Sequence, residues 1–394
     1  LRNWLVLKWQ TKCTMLHNID YQLNISYMKK YILSIFSLCF ALLAVAQEAE
    51  QKPSPWSCTG VVGLNASATG LVNWSAGGNN NVNGVAFGKV RLLFSDTNLS
   101  WETNLDMEYG LSYIDQEFDP FQKSSDKLNF NTKLGWQFHK AWFLTASADF
   151  KSQFAPGRKY GQSEDYDPII SKFLAPSYTD IAVGIDWKPN DIFSVYISPV
   201  AGRLTSVYVS DVFAKHSEEK GQPDLERALK ETYAVWKYKV NEETGVVEKC
   251  FDSNLRGKLG LSIKGAINYT YKDLKVITSV GLYTPYAWNK TEIYQDAAGL
   301  YYAEGVAGKS YANNPDYTKI GYQDNNQRFG NFDVDWDTSI SYQFLKCLNV
   351  TLSTSLKYYN GVKIEKFDKN GLSLGAAERV QFKGTLGLGI GYSF

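Results

Sequence analysis

The chain has 394 residues, a formal net charge of +1 and a hydrophobic fraction of 44%. This near-neutral balance excludes the basic surplus of nucleic-acid-binding proteins, so we expect no nucleic-acid partner. A mean hydropathy of −0.29 excludes a bundle of membrane helices. With 15% aromatic residues and 31 glycines, the composition instead favours a β-rich protein.

One apolar segment near the start is predicted to be a targeting signal. Residues 28–46 read MKKYILSIFSLCFALLAVA, with two lysines, an apolar run and the small residues Ala44 and Ala46 before Gln47. This is the pattern of a cleaved Sec-type signal peptide, and the run is short for a membrane span. Residues 1–27 are predicted to be a non-native upstream extension, and residues 47–55 a short periplasmic segment.

Long amphipathic strands follow. In the last of them, apolar Phe382, Leu386 and Leu388 alternate with Lys383 and Thr385, so one face is apolar and the other small or polar. Many of these strands have about ten residues or more, the length that crosses a bilayer in a tilted barrel. The pattern predicts about twelve strands, near residues 56–67, 84–94, 100–114, 126–138, 141–154, 179–187, 191–209, 255–271, 273–288, 331–344, 347–363 and 377–394.

The connections between these strands alternate in length. Short turns such as HKA and YKDL alternate with longer connections, the largest at 155–178, 210–254 and 289–330. Short periplasmic turns and long extracellular loops are typical of outer-membrane barrels, and an even number of strands leaves no edge in lipid. We therefore predict an all-β, antiparallel transmembrane β-barrel over residues 56–394, located in a Gram-negative outer membrane and in contact with the lipid bilayer and lipopolysaccharide.

The predicted inward face carries charges of both signs. Because short turns fix the pairing register, Asp335 is expected near Lys357, and Lys89 near Asp106. In the same way, Arg91 is expected near Glu102, and Lys133 diagonal to Asp149. The candidate lumen-lining residues are Lys89, Arg91, Glu102, Asp106, Glu108, Lys133, Asp149, Asp333, Asp335, Asp337, Lys357 and Lys383. Two interpretations remain open: a charged, porin-like constriction for a small polar solute, or a lumen filled by paired side chains.

The loop at 210–254 contains a predicted helix. Pro223 suits a first helical turn, and Leu225, Leu229, Tyr233 and Trp236 form a stripe at helical spacing. We expect this helix to pack on the loops or the rim, with a lid over the mouth as the alternative.

The sequence predicts no catalytic, cofactor or metal site. His139 lies in a predicted tight turn and His216 in a long loop, so neither is held beside a nucleophile. Cys58, Cys250 and Cys347 match no metal motif and allow at most one disulfide. We expect a channel or transporter for small solutes. The alternatives are a structural or surface-interaction barrel and, less favoured, an outer-membrane enzyme.

Several blocks of the sequence resemble a known family. The most specific is NWSAGG at residues 73–78, followed by FKSQFAPGRKY, GIDWKPND, NFDVDWDTSISYQF and the terminal VQFKGTLGLGIGYSF. Together they resemble an outer-membrane β-barrel family of unknown function (DUF3078 type) from the Bacteroides group (Bacteroidota). The resemblance implies outer-membrane location and barrel architecture and assigns no activity. The loop at 211–253 is longer than the family pattern, and YYNGVKI at 358–364 departs from a more acidic stretch.

The terminal strand yields a testable prediction. Its ending, with Tyr392 and Phe394, resembles the assembly signal that the barrel-assembly machinery reads. Deleting Phe394 should lower the amount of folded protein in the outer membrane, measured by heat-modifiable gel mobility of membrane fractions. Unchanged assembly would leave Phe394 as an interfacial anchor only.

Overall fold

The structure is a computed structural model that describes residues 54–69, 81–115, 120–160, 167–287, 291–323, 328–345, 348–367 and 373–393. The predicted upstream extension, the signal peptide, most of the 47–55 segment and Phe394 lie outside these residues. Within the described residues, no helix is both long and apolar enough to cross a membrane.

Twelve antiparallel strands close into a barrel. The first strand pairs with the last, from Val61 opposite Ser393 to Ala66 opposite Leu388, so the sheet has no free edge there. The predicted strand number and antiparallel order are confirmed. Numbered in chain order, the barrel strands are β1 (Trp56–Thr69), β2 (Asn81–Ser95), β3 (Leu99–Ile114), β4 (Phe121–His139), β5 (Trp142–Ser152), β6 (Ser177–Trp187), β7 (Phe193–Ser206), β8 (Leu255–Tyr271), β9 (Leu274–Pro285), β10 (Asp333–Leu345), β11 (Leu348–Tyr358) and β12 (Gln381–Ser393).

The two ends of the barrel differ in their connections. At one end, called the short-turn end, β2 is joined to β3, β4 to β5, β6 to β7, β8 to β9 and β10 to β11 by five residues or fewer. At the other, called the long-loop end, the connections include 153–176, 207–254 and 286–332. The predicted sorting of loop lengths is therefore present in the structure.

The outer face of the barrel is apolar and exposed. On β12, Leu386 is 69% exposed and Ile390 62%, and equivalent residues on the other strands are exposed in the same way. Aromatic rings pack on this face at both ends, as Trp142 against Trp187 at the short-turn end and Tyr113 against Phe121 at the long-loop end. An apolar belt between aromatic girdles is suited to a bilayer, because lipid solvates the belt and the interfaces accept the rings.

Two helices occupy the loop between β7 and β8. They are α1 (Asp211–Glu219) and α2 (Leu225–Thr232). The helical stripe in the sequence predicted α2, whose Leu225 and Leu229 are buried against Ile169 and Val207 of the loop region. The helix thus packs on the loops, and Trp236 of the stripe lies beyond its end. The sequence reasoning missed α1.

A second sheet joins the two longest loops. Its five strands are, in spatial order, Lys237–Val240, Val246–Cys250, Tyr301–Ala303, Glu292–Asp296 and Tyr317–Tyr322. The first two come from the β7–β8 loop and the others from the β9–β10 loop, around buried Val247, Ile293 and Ala303. The remaining loop elements are the strand pairs Gly157–Arg158 with Ile169–Ser171 and Lys363–Phe367 with Ser373–Glu378, and a 3₁₀ turn at Val306–Gly308.

The cysteines that the structure describes are unpaired. Cys58 lies on the exposed side of β1 and Cys250 at the end of a loop strand, and both are free thiols. The allowed disulfide therefore does not form between these two. Cys347 lies outside the described residues.

The exposed apolar belt predicts that a charged substitution destabilises the barrel much more on the lipid-facing side of a strand than on its lumen-facing side. Leu386→Arg puts a charge on the lipid-facing side in the middle of β12 and should destabilise the folded barrel by about 2–4 kcal/mol. Thr385→Arg, on the inward side next to it, is the matched control and should cost clearly less. Urea unfolding in lipid vesicles measures both, and equal losses would contradict the assigned faces.

Candidate functional site

The candidate site is the charged inner face of the barrel. Lys89 lies opposite Asp106 in the β2–β3 register, and Asp335 opposite Lys357 in the β10–β11 register, as expected. Asp149 lies opposite Asn131, and so diagonal to Lys133. All twelve candidate residues lie on the strand faces opposite the apolar belt, and Asp337 faces Ser279 and Ser355 of the neighbouring strands.

Ion pairs at the short-turn end join strands that are adjacent or one strand apart. Arg91 Nε is 2.9 Å from Glu102 Oε1, joining β2 to β3. Lys133 Nζ is 2.5 Å from Asp186 Oδ2, and Lys188 Nζ is 3.4 Å from the same oxygen. Asp186 is fully buried, so these two ammonium groups compensate a charge that water does not reach.

The middle of the lumen contains two kinds of ion pair, one between adjacent strands and one between distant strands. Lys127 Nζ lies 2.5 Å from Asp106 Oδ2, which joins the adjacent strands β4 and β3. Lys264 Nζ on β8 lies 2.6 Å from Asp149 Oδ2 on β5, three strands away. This second pair therefore crosses part of the lumen.

A second crossing contact joins β12 to the early strands β3 and β4. Lys383 Nζ donates a hydrogen bond to Ser125 Oγ at 2.8 Å and lies 3.8 Å from Glu108 Oε1. Ser125 in turn donates to Glu108. Because β12 is separated from β3 by β1 and β2, this contact also spans the interior.

The densest group of contacts is centred on Arg203 of β7, toward the long-loop end. Its Nε and Nη2 donate to the two carboxylate oxygens of Asp180 at 2.8 and 3.0 Å, a bidentate pair. Its Nη1 donates to Asp333 Oδ2 on β10 at 2.9 Å. The guanidinium also lies 4.4 Å from the centroid of the Tyr283 ring. One arginine thus links β6, β7, β9 and β10.

Contacts beside Arg203 connect strands on nearly opposite sides of the barrel. Lys151 Nζ of β5 lies 3.9 Å from Asp335 Oδ1 of β10, and the Tyr359 hydroxyl donates to the same carboxylate. The rings of Tyr178, on β6, and Tyr359, just after β11, have centroids 5.7 Å apart. We call the group that bridges the lumen here the lumen cluster: Lys151, Tyr178, Asp180, Arg203, Asp333, Asp335 and Tyr359.

A β-bulge turns Arg203 toward the lumen. Before it, Ser194, Tyr196 and Ser198 of β7 point inward; after it, Ala201 and Arg203 do, because the register slips by one residue.

Gly184 on β6 makes room for this bulge. A Cβ at Gly184 would lie 2.2 Å from the Ile197 carbonyl oxygen, so only glycine fits. The Ser198 hydroxyl secures the bulge by sharing its one proton between the carbonyl oxygens of Val183 at 2.8 Å and Val200 at 2.9 Å.

Several lumen residues were missing from the sequence-based candidates. Simple alternation from Asp149 indicates Lys151, but the bulge hides the inward direction of Arg203. The ionic partners across the lumen follow from the closed shape and not from any sequence spacing. The missed residues that form the ion pairs described above are Lys127, Lys151, Asp180, Asp186, Arg203 and Lys264.

The remaining sites considered in the sequence lie elsewhere. His139 ends β4 at the short-turn end, and His216 lies in α1 at the long-loop end. Among the residues that the structure describes, no group of three or more His, Cys, Asp or Glu side chains is arranged to hold a metal ion. Tyr392 is exposed on the outer face of β12.

A closed barrel with an apolar outside and a charged inside defines a membrane β-barrel of the outer-membrane type. Residues 66–157 match the family described as "Protein of unknown function (DUF3078)". The family resemblance is confirmed over this segment, and the Bacteroides group stays a prediction. No curated protein matches the chain.

Solved structures of outer-membrane barrels are similar at low identity. The COG4313 outer membrane channel from Pseudomonas putida F1 shares 10% identity, with 88% of this chain and 98% of that chain covered and a TM-score of 0.35. The translocator domain of the autotransporter NalP from Neisseria meningitidis shares 10% identity, with 93% of this chain and 98% of that chain covered and a TM-score of 0.25. OmpT, an outer membrane protein of Vibrio cholerae, shares 8% identity, with 88% of this chain and 100% of that chain covered and a TM-score of 0.25.

The position of Arg203 between two carboxylates predicts a large loss of stability on its removal. Arg203→Met leaves Asp180 and Asp333 without their shared cation and should cost about 3–5 kcal/mol of unfolding free energy. Lys127→Met is the matched control, because the Lys127–Asp106 pair is more exposed and joins adjacent strands. Its loss should lower the unfolding free energy by at most about 1 kcal/mol. Urea unfolding in lipid vesicles measures the difference, and equal costs would contradict the central role of Arg203.

Proposed function

We propose that the protein is a narrow outer-membrane channel for small polar or charged solutes, with the lumen cluster as its constriction. The observation that carries the proposal is the bridging of nearly opposite strands at one level by Lys151, Asp335, Tyr178 and Tyr359. These contacts are an ion pair, a hydrogen bond and a ring contact between side chains, which can separate by rotamer changes without moving the backbone. Such a constriction restricts a pore by size and charge.

A wall of uncharged side chains lies below the constriction. On the inward faces of β11 and β12, toward the short-turn end, the side chains are amides, hydroxyls or absent. These positions are Asn349, Thr351, Ser353, Thr385, Gly387, Gly389 and Gly391. The side chains of Asn65 and Asn349 pack over these glycines, since a Cβ at Gly389 would meet Asn65 and one at Gly391 would approach Asn349. This wall of the lumen is therefore uncharged and lined by amides and hydroxyls.

The proposed location is the outer membrane, reached through the signal peptide at 28–46 and insertion by the barrel-assembly machinery. The apolar belt supports contact with the bilayer and lipopolysaccharide. The sorting of the loops supports placing the short-turn end in the periplasm. A catalytic role is not proposed, since the two described histidines lie at opposite ends of the barrel.

The second candidate is a surface-interaction barrel with a filled lumen. The five-stranded sheet of the long loops favours it, because a folded unit built from two loops presents a defined surface. On this unit, Tyr311 packs against Tyr302 and Tyr317 with ring centroids 5.2 and 4.8 Å apart. Outer loops of this kind could bind a partner or a glycan.

Single-channel conductance in planar bilayers separates the two candidates. The double variant Lys151→Ala/Tyr359→Ala removes both bridges across the lumen, Lys151–Asp335 and Tyr178–Tyr359, and should raise the conductance several-fold over the wild type. Lys127→Ala is the control, because it removes a lysine that joins adjacent strands, and it should leave the conductance near the wild-type value. If the folded wild type and the folded double variant both show no single-channel current, the channel is refuted and the filled barrel is supported.

A further inference from the structure

The loop between β5 and β6 contains a tight turn with two apolar residues at its tip. Lys172 and Ala175 exchange both backbone hydrogen bonds, at 2.7 and 2.9 Å, so Phe173 and Leu174 are the two central residues. A positive φ at the second central position is normally taken by glycine, but here Leu174 has a φ of 61°. The Phe173 side chain is 45% exposed. Turn tips in water favour polar residues, so this tip indicates apolar surroundings.

The turn lies against the lipid-facing side of the barrel. The Leu174 backbone N–H donates to Ser152 Oγ at 3.1 Å. Ser152 is on the outward side of β5, since it pairs with outward Leu128 of β4. Ser177, the outward residue at the same end of β6, is only 4% exposed, so the barrel wall is covered at this level. The tip of the turn therefore continues the apolar belt beyond the strands.

The turn is also one bilayer thickness away from the aromatic girdle of the short-turn end. β5 has 11 residues, from Trp142 in that girdle to Ser152. A tilted strand of about this length crosses a bilayer. At the long-loop ends of β6 and β7, the outward side chains next to the loops are Thr179 and Leu204. These two strands thus bring no ring of their own to the second interface.

Tyr208, just after β7, places another ring beside the turn. Its backbone N–H donates to the Leu174 carbonyl oxygen at 3.0 Å, and its own carbonyl oxygen accepts from Lys172 Nζ at 3.4 Å. The Tyr208 side chain is 52% exposed. Among the described residues of the loops at 153–176 and 207–254, the exposed large apolar side chains are Ile170, Phe173, Tyr208 and Val212. The exposed apolar surface of these loops is therefore confined to the turn and the chain that adjoins it.

We infer that Phe173, Leu174 and Tyr208, which we call the rim patch, bind membrane lipid at the bilayer interface on the long-loop side. The acyl chains would pack on Phe173 and Leu174, and the headgroup region would meet the Tyr208 hydroxyl, since tyrosine suits a boundary between apolar and wet surroundings. The rim patch supplies the rings that β6 and β7 lack. The inference goes beyond the proposed channel and does not depend on it.

Lipid bound at the rim patch would also hold the loop helices. Ala175 and Val207, the chain neighbours of Leu174 and Tyr208, are fully buried and pack in one core with Leu225 and Leu229 of α2. The rim patch and α2 thus belong to one packed unit. Contact with lipid would fix this unit against the membrane as well as against the barrel.

The test is photocrosslinking of the full chain, folded into vesicles of phosphatidylethanolamine and phosphatidylglycerol. The photoreactive residue p-benzoylphenylalanine replaces Phe173 or Tyr208, and mass spectrometry counts the lipid adducts. Replacing Ile181, 53% exposed in the belt, is the positive control; replacing Leu300, 53% exposed in the β9–β10 loop, is the negative one. We expect adducts at Phe173 and Tyr208 within about threefold of those at Ile181 and about tenfold above those at Leu300.

Two outcomes of the crosslinking would overturn the inference. One is a yield of lipid adducts at Phe173 and Tyr208 no higher than at Leu300, which would place the rim patch in water. The other is crosslinking between two chains in place of lipid adducts, which would make the rim patch a contact with a second copy.

A matched pair of substitutions measures what the lipid contact contributes. Phe173→Ser should lower the folding equilibrium constant in the same vesicles about tenfold, because burial of an aromatic ring contributes at least that much. Leu300→Ser removes an apolar side chain exposed to water and should change the constant by less than about threefold. Equal changes would contradict a lipid contact at Phe173. If Phe173→Ser does not fold, the crosslinking decides the matter, and it also separates lipid contact from packing within the protein.

Neither measurement depends on conduction. Lipid adducts at the rim patch of a barrel that passes no current would refute the channel and keep the lipid site. Conduction without such adducts would do the reverse.

Discussion

A backbone surrounded by hydrocarbon has to satisfy every N–H and C=O group with its own partners, and the rest of this structure depends on that requirement. A helix does this within itself, whereas strands do it only when the sheet closes. Here closure is achieved by β12 pairing back to β1. Once the sheet is closed, alternate side chains have two different surroundings, lipid outside and the lumen inside. The apolar belt, the aromatic girdles and the charged interior all follow from this division.

Closure also decides how the interior charges are paired. Charges withdrawn from bulk water need partners, and in a closed barrel those partners are available across the lumen as well as on the next strand. Arg203 uses both kinds, with Asp180 on the adjacent strand and Asp333 three strands away. The same contacts that stabilise the barrel therefore narrow its lumen. In the proposed function, these residues both stabilise the barrel and restrict its lumen, because a solute that passes has to compete for the same charged groups.

The sequence was sufficient for the features that depend on local alternation and short turns. The twelve strands, their faces and the opposition of Lys89 to Asp106 were predicted, because a tight turn fixes the register on both sides of it. Contacts between distant strands were not, because no spacing in the sequence encodes how closely Lys151 approaches Asp335. The five-stranded sheet was missed for a related reason. Its strands have three to six residues, too few to show alternation, and they pair between two separate loops.

The bulge at Ser198 has a consequence for how such a strand can change. On either side of it, the odd and even positions of β7 exchange their surroundings. Moving this one-residue phase shift a few positions along the strand would exchange the lipid-facing and lumen-facing sets over that stretch, with no substitution at any of them. The number of strands, and so the width of the barrel, would not change. A single insertion and a compensating deletion would exchange the side chains that this stretch of β7 presents to the lumen. Because the bulge needs glycine opposite it at Gly184, a displaced bulge also needs a glycine at its new place on β6. With that condition met, small changes in strand length offer such barrels a route to new selectivity that point substitutions do not.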